Sequence, residues 1–183
     1  MAYHGILVPE AIAAAQVDAW NRSVISASAL DNGNVVVLAA KSSTSGEGEV
    51  WTATEPSTSA GLTGLWMVYS GEEIPVTDSR YKGLDPDPRN FWTPAGKVVS
   101  AYKPQLGDII LVNAEALTGT YIANTTTHVN ATNSTGGYKL LWGNSQTASV
   151  LSYKLLGVKY FSLATGAIDT QRITAYEFEC VGL

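Results

Sequence analysis

The stretch 103-KPQLGDIILV-112 decides how the middle of this chain folds, because a turn signal stands directly before an unbroken apolar run. Pro104 sets φ for a turn, and Gly107 tolerates a positive φ. The apolar residues 109–112 have the length and composition of a buried strand. Asp108 lies at the junction, where its carboxylate can accept hydrogen bonds from backbone N–H groups. The stretch therefore predicts a turn that leads into a core strand, with Asp108 in a structural role.

Turn signals and short apolar runs also alternate along the rest of the chain. They predict further strands at 23–29, 35–40, 50–54, 65–69, 98–102, 138–142, 150–156, 158–163 and 173–181. Asn32 and Gly33 stand between the first two, and this dipeptide is the strongest short signal for a hairpin turn. The sequence therefore predicts an all-β fold, a β-sandwich or small β-barrel, with long ordered loops.

One helix is predicted, at 9–20, inside an N-terminal arm of residues 1–22 that precedes a β domain of residues 23–183. Pro9 suits the first helical position, Glu10 complements the helix dipole, and the alanine run has high helix propensity. Ile12, Val17 and Trp20 follow helical spacing and form an apolar stripe. Two interpretations of that stripe remain open: it packs on its own domain, or on a neighbouring protein.

Two long loops are predicted within the β domain. Residues 71–96 carry four prolines and several acidic residues, with the aromatic residues Tyr81, Phe91 and Trp92 as anchors. Residues 124–137 form a polar Asn/Thr-rich tract, which is typical of an exposed loop or hairpin tip. Loops as long as 71–96 commonly have a functional or interfacial role.

Composition excludes several classes of function. The net charge is −5 and the basic residues are scattered singly, so we expect no nucleic-acid binding. No apolar run reaches the roughly 18 residues of a membrane-spanning helix, so we expect no membrane partner. The start of the chain lacks the basic region of a signal peptide. The single cysteine, Cys180, cannot form an internal disulfide and is predicted to lie in the core.

The sequence offers no convincing catalytic, metal or cofactor site, and we predict that the protein is not an enzyme. His4 and His128 show no zinc-ligand spacing. The segment 85-DPDPRN-90 lacks the residues that a calcium loop needs at its later positions. Glu72 and Glu73 are adjacent, so on an extended chain their carboxylates point apart.

A succession of turn and strand features carries a resemblance to a known family. It runs from Asp31-Asn32-Gly33 through the strands at 49–54 and 65–69, then 91-FWTPAGK-97, Tyr102, the turn 106-LGD-108 and 116-ALTG-119. This order resembles small structural proteins of tailed bacteriophages, made beside the major capsid protein and thought to decorate or cement the head. The chain has Ser100-Ala101 before Tyr102, where the family tends to carry Arg.

The resemblance implies a non-enzymatic virion protein, made in the cytoplasm of the bacterial host, that binds the outer face of the capsid and stabilises it. Its implied partner is the major capsid protein, and we expect a homo-oligomer, a trimer in preference to a dimer. The apolar terminus and the aromatic residues of loop 71–96 are the expected partner contacts: Tyr3, Ile6, Leu7, Val8, Tyr81, Phe91 and Trp92.

Two other functions stay open from the sequence. A phage tail-tube or head–tail connector protein could use the long loop 71–96 between stacked rings. A carbohydrate-binding adhesion module could use Trp51, Trp66 and Trp142, although their positions inside strand-like runs favour core packing.

Overall fold

A computed structural model describes residues 3–43, 48–57, 62, 64–70, 87–123, 126–132, 137–164 and 170–183. The predicted all-β fold is confirmed in these residues, which contain short 3-10 turns and no α-helix of seven or more residues. None of their helices is long and apolar enough to cross a membrane. The strands are β1 (Leu7–Ala11), β2 (Asn21–Ser26), β3 (Val35–Lys41), β4 (Trp51–Thr54), β5 (Trp66–Val68), β6 (Val98–Tyr102), β7 (Ile109–Asn113), β8 (Leu117–Thr118), β9 (His128–Asn130), β10 (Leu140–Gly143), β11 (Ser152–Ala164) and β12 (Thr170–Gly182).

Seven strands form one sheet in the order β1-β7-β12-β11-β9-β10-β8. All neighbours are antiparallel except β10 and β8, which are parallel. The other five strands close into a barrel in the order β2-β4-β3-β5-β6, with β6 pairing back onto β2. The structure thus contains a small barrel, as predicted, beside a sheet that the sequence did not separate from it.

Strand β5 and the first residues of β3 read as continuous apolar runs because both of their faces are covered there. Neighbouring residues alternate between two cores: Val35, Met67 and Tyr102 face the sheet, whereas Val36, Val68 and Ala101 fill the barrel. One wall of the barrel therefore supplies part of the sheet's core, and this shared wall joins the two halves.

The predicted N-terminal helix is wrong. Residues 7–11 form strand β1, which pairs with β7, and the chain continues in 3-10 turns at Ala13–Gln16 and Asp18–Trp20. Leu7 is only 1% exposed, and the backbone N–H of Ala13 donates to Asp108 Oδ1 at 2.8 Å. Strand pairing and this side-chain contact outweigh the helix propensity of the alanines, which is worth only tenths of a kcal/mol per residue.

The predicted hairpin between the strands on either side of Asn32-Gly33 is also wrong. The turn itself forms, with Gly33 at φ 87° and a hydrogen bond of 3.2 Å from Asn34 N to the Asp31 carbonyl. However, β2 pairs with β4 and β6, while β3 pairs with β4 and β5. Strand β4 lies between β2 and β3, parallel to β2 and antiparallel to β3. The turn therefore carries the chain to a strand that does not pair with β2.

The polar tract predicted as an exposed loop at 124–137 contains strand β9, an interior strand between β10 and β11. Val129 is fully buried, and Asn130 is only 9% exposed. The Asn130 side chain is held by Ser145, Thr147 and Ser152: its Nδ2 donates to a carbonyl, and its Oδ1 accepts an N–H and a hydroxyl. Because these contacts satisfy the amide, a polar sequence can form a buried strand here.

Candidate partner-binding surface

Residues 103–112 behave as their sequence predicts. Gly107 has φ 87°, and the turn leads directly into β7. Asp108 is 3% exposed, and its carboxylate accepts the N–H groups of Gln105 and Ala13, each at 2.8 Å. Two backbone donors therefore occupy both carboxylate oxygens, so Asp108 joins the turn to the N-terminal segment.

The N-terminal segment is held in place where it crosses between the barrel and the sheet. Asn113, fully buried, accepts the N–H of Ile6 at 2.8 Å and donates to the His4 carbonyl at 3.1 Å. A Cβ on Gly5 would lie 2.6 Å from the Asn32 carbonyl oxygen, so only glycine fits this passage. Residues 4–6 are consequently fixed to both halves of the molecule.

At this crossing the exposed Tyr3 and Trp92 contact partly buried His4 and Asp31 and buried Arg89, and we call these five residues the N-terminal cluster: Tyr3, His4, Asp31, Arg89 and Trp92. The His4 ring stacks on Trp92 with centroids 4.8 Å apart and planes 17° apart. Its Nδ1 lies 2.7 Å from Asp31 Oδ1, which fixes the orientation of the imidazole. The Arg89 guanidinium lies 3.8 Å from the centre of the Tyr3 ring.

The backbone beneath the cluster brings together residues that are far apart in sequence. Leu30 and Thr93 exchange two backbone hydrogen bonds of 2.9 and 2.8 Å, which places Asp31 and Trp92 on adjacent chains. The His4 N–H donates to the Arg89 carbonyl at 2.8 Å. The cluster is therefore assembled by three separate chain segments, and sequence spacing gives no sign of it.

Arg89 is anchored from below by a buried ion pair. Asp87 begins the 3-10 turn Pro88–Asn90, and its carboxylate accepts the Arg89 N–H at 2.9 Å and both Nε and Nη2 of the guanidinium. Burial alone would raise the pKa of Asp87, but the hydrogen bonds from Arg89 outweigh it and hold that pKa below its usual value. The guanidinium is thereby held in place beside the Tyr3 ring.

The predicted contact residues fall into three groups. Tyr3, Val8 and Trp92 are 47%, 39% and 44% exposed, and Phe91 beside them is half-buried. Ile6 and Leu7 are 2% and 1% exposed, so they pack inside the chain's own core and present no surface to a partner. Tyr81 lies outside the described residues.

The sequence analysis found no zinc-ligand spacing at His4 and gave Asp31 and Arg89 no role in a surface. Asp31 also lies 3.9 Å from the Lys139 ammonium, whose main hydrogen bond, at 2.6 Å, goes to the Glu115 carbonyl. The Asp-Asn-Gly turn marked the position of Asp31 in the sequence, but its contact with His4 joins residues 27 positions apart and therefore has no local sequence signature.

Three other features were candidates for ligand binding: a metal site, the tryptophan side chains and a surface groove. In the described part of the chain, no three His, Cys, Asp or Glu side chains converge in a way that could hold a metal ion. Trp142 is 8% exposed and packs in the sheet core, while Trp51 and Trp66 are half-buried. A shallow polar groove of about 450 Å³ lies beside Trp51, with Arg22 and Glu49 among its lining residues.

Comparisons with protein-family models, with curated protein sequences and with solved structures give no match for this chain. The class of protein is therefore defined by the fold and its surfaces: an all-β chain in which a five-stranded barrel shares a wall with a seven-stranded sheet.

Proposed function

We propose that this chain is a non-enzymatic structural protein of a tailed-bacteriophage virion that binds the outer surface of the capsid and stabilises it. The observation that carries the proposal is the N-terminal cluster, in which the exposed rings of Tyr3 and Trp92 are held in place and the largely buried Arg89, 8% exposed, supports Tyr3. Tyr, Arg and Trp are the residues most enriched among those that dominate binding energy in protein interfaces. Their partner would be the major capsid protein.

Rigidity matters because a partner that binds a pre-ordered surface does not have to immobilise it. Trp92 is stacked on His4, His4 is bonded to Asp31, and Arg89 is held by the buried carboxylate of Asp87. Ordering a long side chain costs roughly 0.5–1.5 kcal/mol on binding, and this cost is already met in the free chain. A surface of this kind suits a permanent attachment to a shell.

The proposal is tested on particles from a phage that carries the gene and from a derivative that lacks it. We expect the chain in purified particles of the first, and lower resistance of the second to heat and to chelators. Adding back the purified chain should restore resistance, whereas the double variant Tyr3→Ala/Trp92→Ala should bind the particles at least tenfold more weakly.

The matched control is Leu106→Ala, which removes a side chain that is 65% exposed on another surface and should bind like the natural chain. Absence of the chain from purified particles would remove the proposal altogether. Equal binding by the double variant and the control would leave attachment to the capsid in place and exclude the N-terminal cluster as its surface.

A tail-tube or head–tail connector protein is the second candidate, and it is favoured by a long two-stranded extension formed by β11 and β12. Extensions of this shape can bridge stacked rings. Copy number distinguishes the two positions, because a head decoration is present in several hundred copies and a tail component in far fewer. Quantitative gel analysis of purified particles, scaled to the major capsid protein, gives that number.

A carbohydrate-binding adhesion module is the third candidate, and the groove beside Trp51 is the observation in its favour. A tryptophan beside charged and amide side chains is a common setting for a sugar ring. A glycan array probed with the natural chain and with Trp51→Ala tests this directly. Binding that Trp51→Ala abolishes would support the module, and an array without hits would exclude it.

A further inference from the structure

The distal halves of β11 and β12 extend away from the sheet as a two-stranded ribbon, which we call the projecting ribbon: residues 156–164 and 170–174. Neighbouring strands cover only the proximal part, because β9 pairs with Ser152–Lys154 and β7 pairs with Ala175–Glu179. Within the described residues, both outer edges of the ribbon therefore have open backbone hydrogen-bonding groups. An isolated two-stranded ribbon is at best marginally stable in water, so such an extension gains much from a partner.

One face of the ribbon continues an exposed apolar surface. Val158 and Tyr160 are 42% and 49% exposed and lie two residues apart, hence on the same face of β11. Val158 pairs across the ribbon with Tyr176, and the Tyr176 ring lies 5.2 Å from Tyr121, which is itself 38% exposed. The Arg172 guanidinium lies 3.8 Å above the Tyr160 ring. This face combines aliphatic, Tyr and Arg side chains, as the centres of protein interfaces do.

The ribbon lacks most of the devices that keep open strands apart. Within 156–164 and 170–174 there is no proline, and the only charged residues are Lys159 and Arg172. The Lys159 ammonium lies 2.6 Å from Glu177 and 3.2 Å from Glu10 of the same chain, so its charge is largely compensated at the base of the ribbon. A bulge near Leu155 twists only the start of the open edge.

Charge indicates what the ribbon binds. The ribbon strands carry Lys159 and Arg172, and Asp169 lies between them in the sequence, so the segment 156–174 has a net charge of +1. Subtracting this +1 from the net charge of −5 leaves −6 on the rest of the chain. An apolar extension with a small positive charge, carried on an acidic body, is electrostatically complementary to the body of an identical molecule.

We infer that the projecting ribbon binds a second copy of this chain, with its Val158 and Tyr160 face on the acidic body of that copy. Each copy offers both a ribbon and an acidic body, so the contact can repeat until an oligomer closes. This inference concerns the chain alone and does not depend on attachment to a capsid.

Sedimentation equilibrium of the purified chain, without particles, tests the inference. We expect the mass to rise with concentration above that of one chain, and the association to weaken as salt is added. The double variant Val158→Asp/Tyr160→Asp should associate at least tenfold more weakly, and Arg172→Glu should also weaken association. The control Leu106→Asp places one such charge at a 65% exposed site outside the ribbon and should associate normally.

Hydrogen exchange on the natural chain gives a second readout that needs no variant. Backbone amides of 156–164 and 170–174 should exchange more slowly as concentration rises, because a partner covers them. The inference would be overturned if the mass stayed that of a single chain at every concentration, or if the exchange rates of these amides did not depend on concentration. It would also be overturned if Leu106→Asp weakened the association as much as the ribbon variants. If the chain is monomeric and the ribbon variants lose only particle binding, the ribbon's partner is the capsid and not a second copy.

Discussion

The barrel and the sheet solve the problem of burying an apolar chain in opposite ways. The barrel closes on itself and fills a narrow interior with small side chains such as Val36, Ala53, Val68 and Ala101. The sheet stays open, and its core is built from larger residues, including the aromatic residues Trp142, Tyr176 and Phe178, against which the exposed Tyr121 packs. Closure removes strand edges, whereas the open sheet leaves edges free on its long strands.

The difference predicts opposite sensitivities. A narrow interior tolerates loss of volume better than gain, while a core of large rings is damaged most when a ring is removed. Because Val35, Met67 and Tyr102 of the barrel wall also pack in the sheet core, damage on either side should affect the stability of the whole molecule. Four experiments follow from this contrast, from the largest expected effect to the smallest.

Removing a ring from the sheet core should have the largest effect. Phe178 is fully buried, with its ring 5.6 Å from that of Trp142. Phe178→Ala should lower the free energy of unfolding by about 3–5 kcal/mol in urea denaturation. Tyr160→Ala, a ring removed from an exposed position on the same pair of strands, serves as the control and should cost far less.

Tryptophan fluorescence and circular dichroism should report one common transition for Phe178→Ala, since the shared wall couples the two halves. Two separate transitions would show that the barrel persists after the sheet unfolds. An equal loss in both variants would contradict the contrast between core and ribbon.

Releasing the N-terminal segment from the sheet should have the next largest effect. Asp108→Ala leaves the N–H groups of Gln105 and Ala13 without their acceptor, at about 1–3 kcal/mol for each one that stays buried. We expect a total loss of about 2–4 kcal/mol. Asp108→Asn keeps one acceptor oxygen and should lose about half as much.

Asp18→Ala, at an exposed carboxylate in the same segment, is the control for Asp108 and should leave stability nearly unchanged. Urea denaturation curves of the three variants give the free energies of unfolding to be compared. Should Asp108→Ala be as stable as Asp18→Ala, the two hydrogen bonds would contribute nothing that water does not replace.

Enlarging a side chain inside the barrel should have a smaller but measurable effect. Ala101 is 2% exposed and faces the barrel interior, so Ala101→Leu adds volume where closure prevents expansion. Overpacking of this kind costs about 1–3 kcal/mol. Ser100→Leu, the same new side chain on the exposed neighbour, is the control. Unchanged stability in Ala101→Leu would mean that the interior has spare volume, and the contrast with the sheet would fail.

Alkaline pH should lower the free energy of unfolding through ionisation of Cys180. At neutral pH this free energy should be unaffected. Burial raises the pKa of the Cys180 thiol from its usual 9.0 to about 12, so the folded chain keeps a proton that the unfolded chain releases. The resulting stabilisation is complete below pH 9.0 and is lost as the pH rises toward 12. Burial also raises the pKa of Tyr102 and Tyr153, which adds a loss of the same sign at higher pH.

Cys180→Ala separates the thiol from the two tyrosines. The difference in free energy of unfolding between the natural chain and this variant should be constant below pH 9.0 and change above it. Parallel pH curves throughout would show that the thiol remains accessible to water.

Much of the strand content follows from the sequence, because alternation and turn chemistry act over a few residues. The turn at Gly107 and the strand β7 were predicted within a residue or two, and so were β3 and β6. By contrast, the pairing partners of β2, the buried strand β9 and the strand at 7–11 depend on contacts across the chain. Local propensity gave the wrong element at 9–20, because the partner strand β7 lies about 100 residues further along the chain.

The candidate surface could be predicted only in part. Exposed aromatic residues near the terminus and in the long loop pointed to Tyr3 and Trp92, yet the same reasoning included Ile6 and Leu7, which the fold buries. The ion pair between Asp87 and Arg89 and the contact between His4 and Asp31 carry no sequence signature beyond short turns.

By itself, the sequence determined that this chain is all-β, acidic and punctuated by turns, because composition and period-2 patterning are properties of neighbouring residues. It also determined that Asp108 belongs to a turn. Only the tertiary structure decided which strands pair, which apolar residues stay exposed and where the terminus meets the 87–93 segment. Those outcomes depend on burial shared between distant segments, and a strand with two buried faces does not encode in its own residues which neighbour each face will meet.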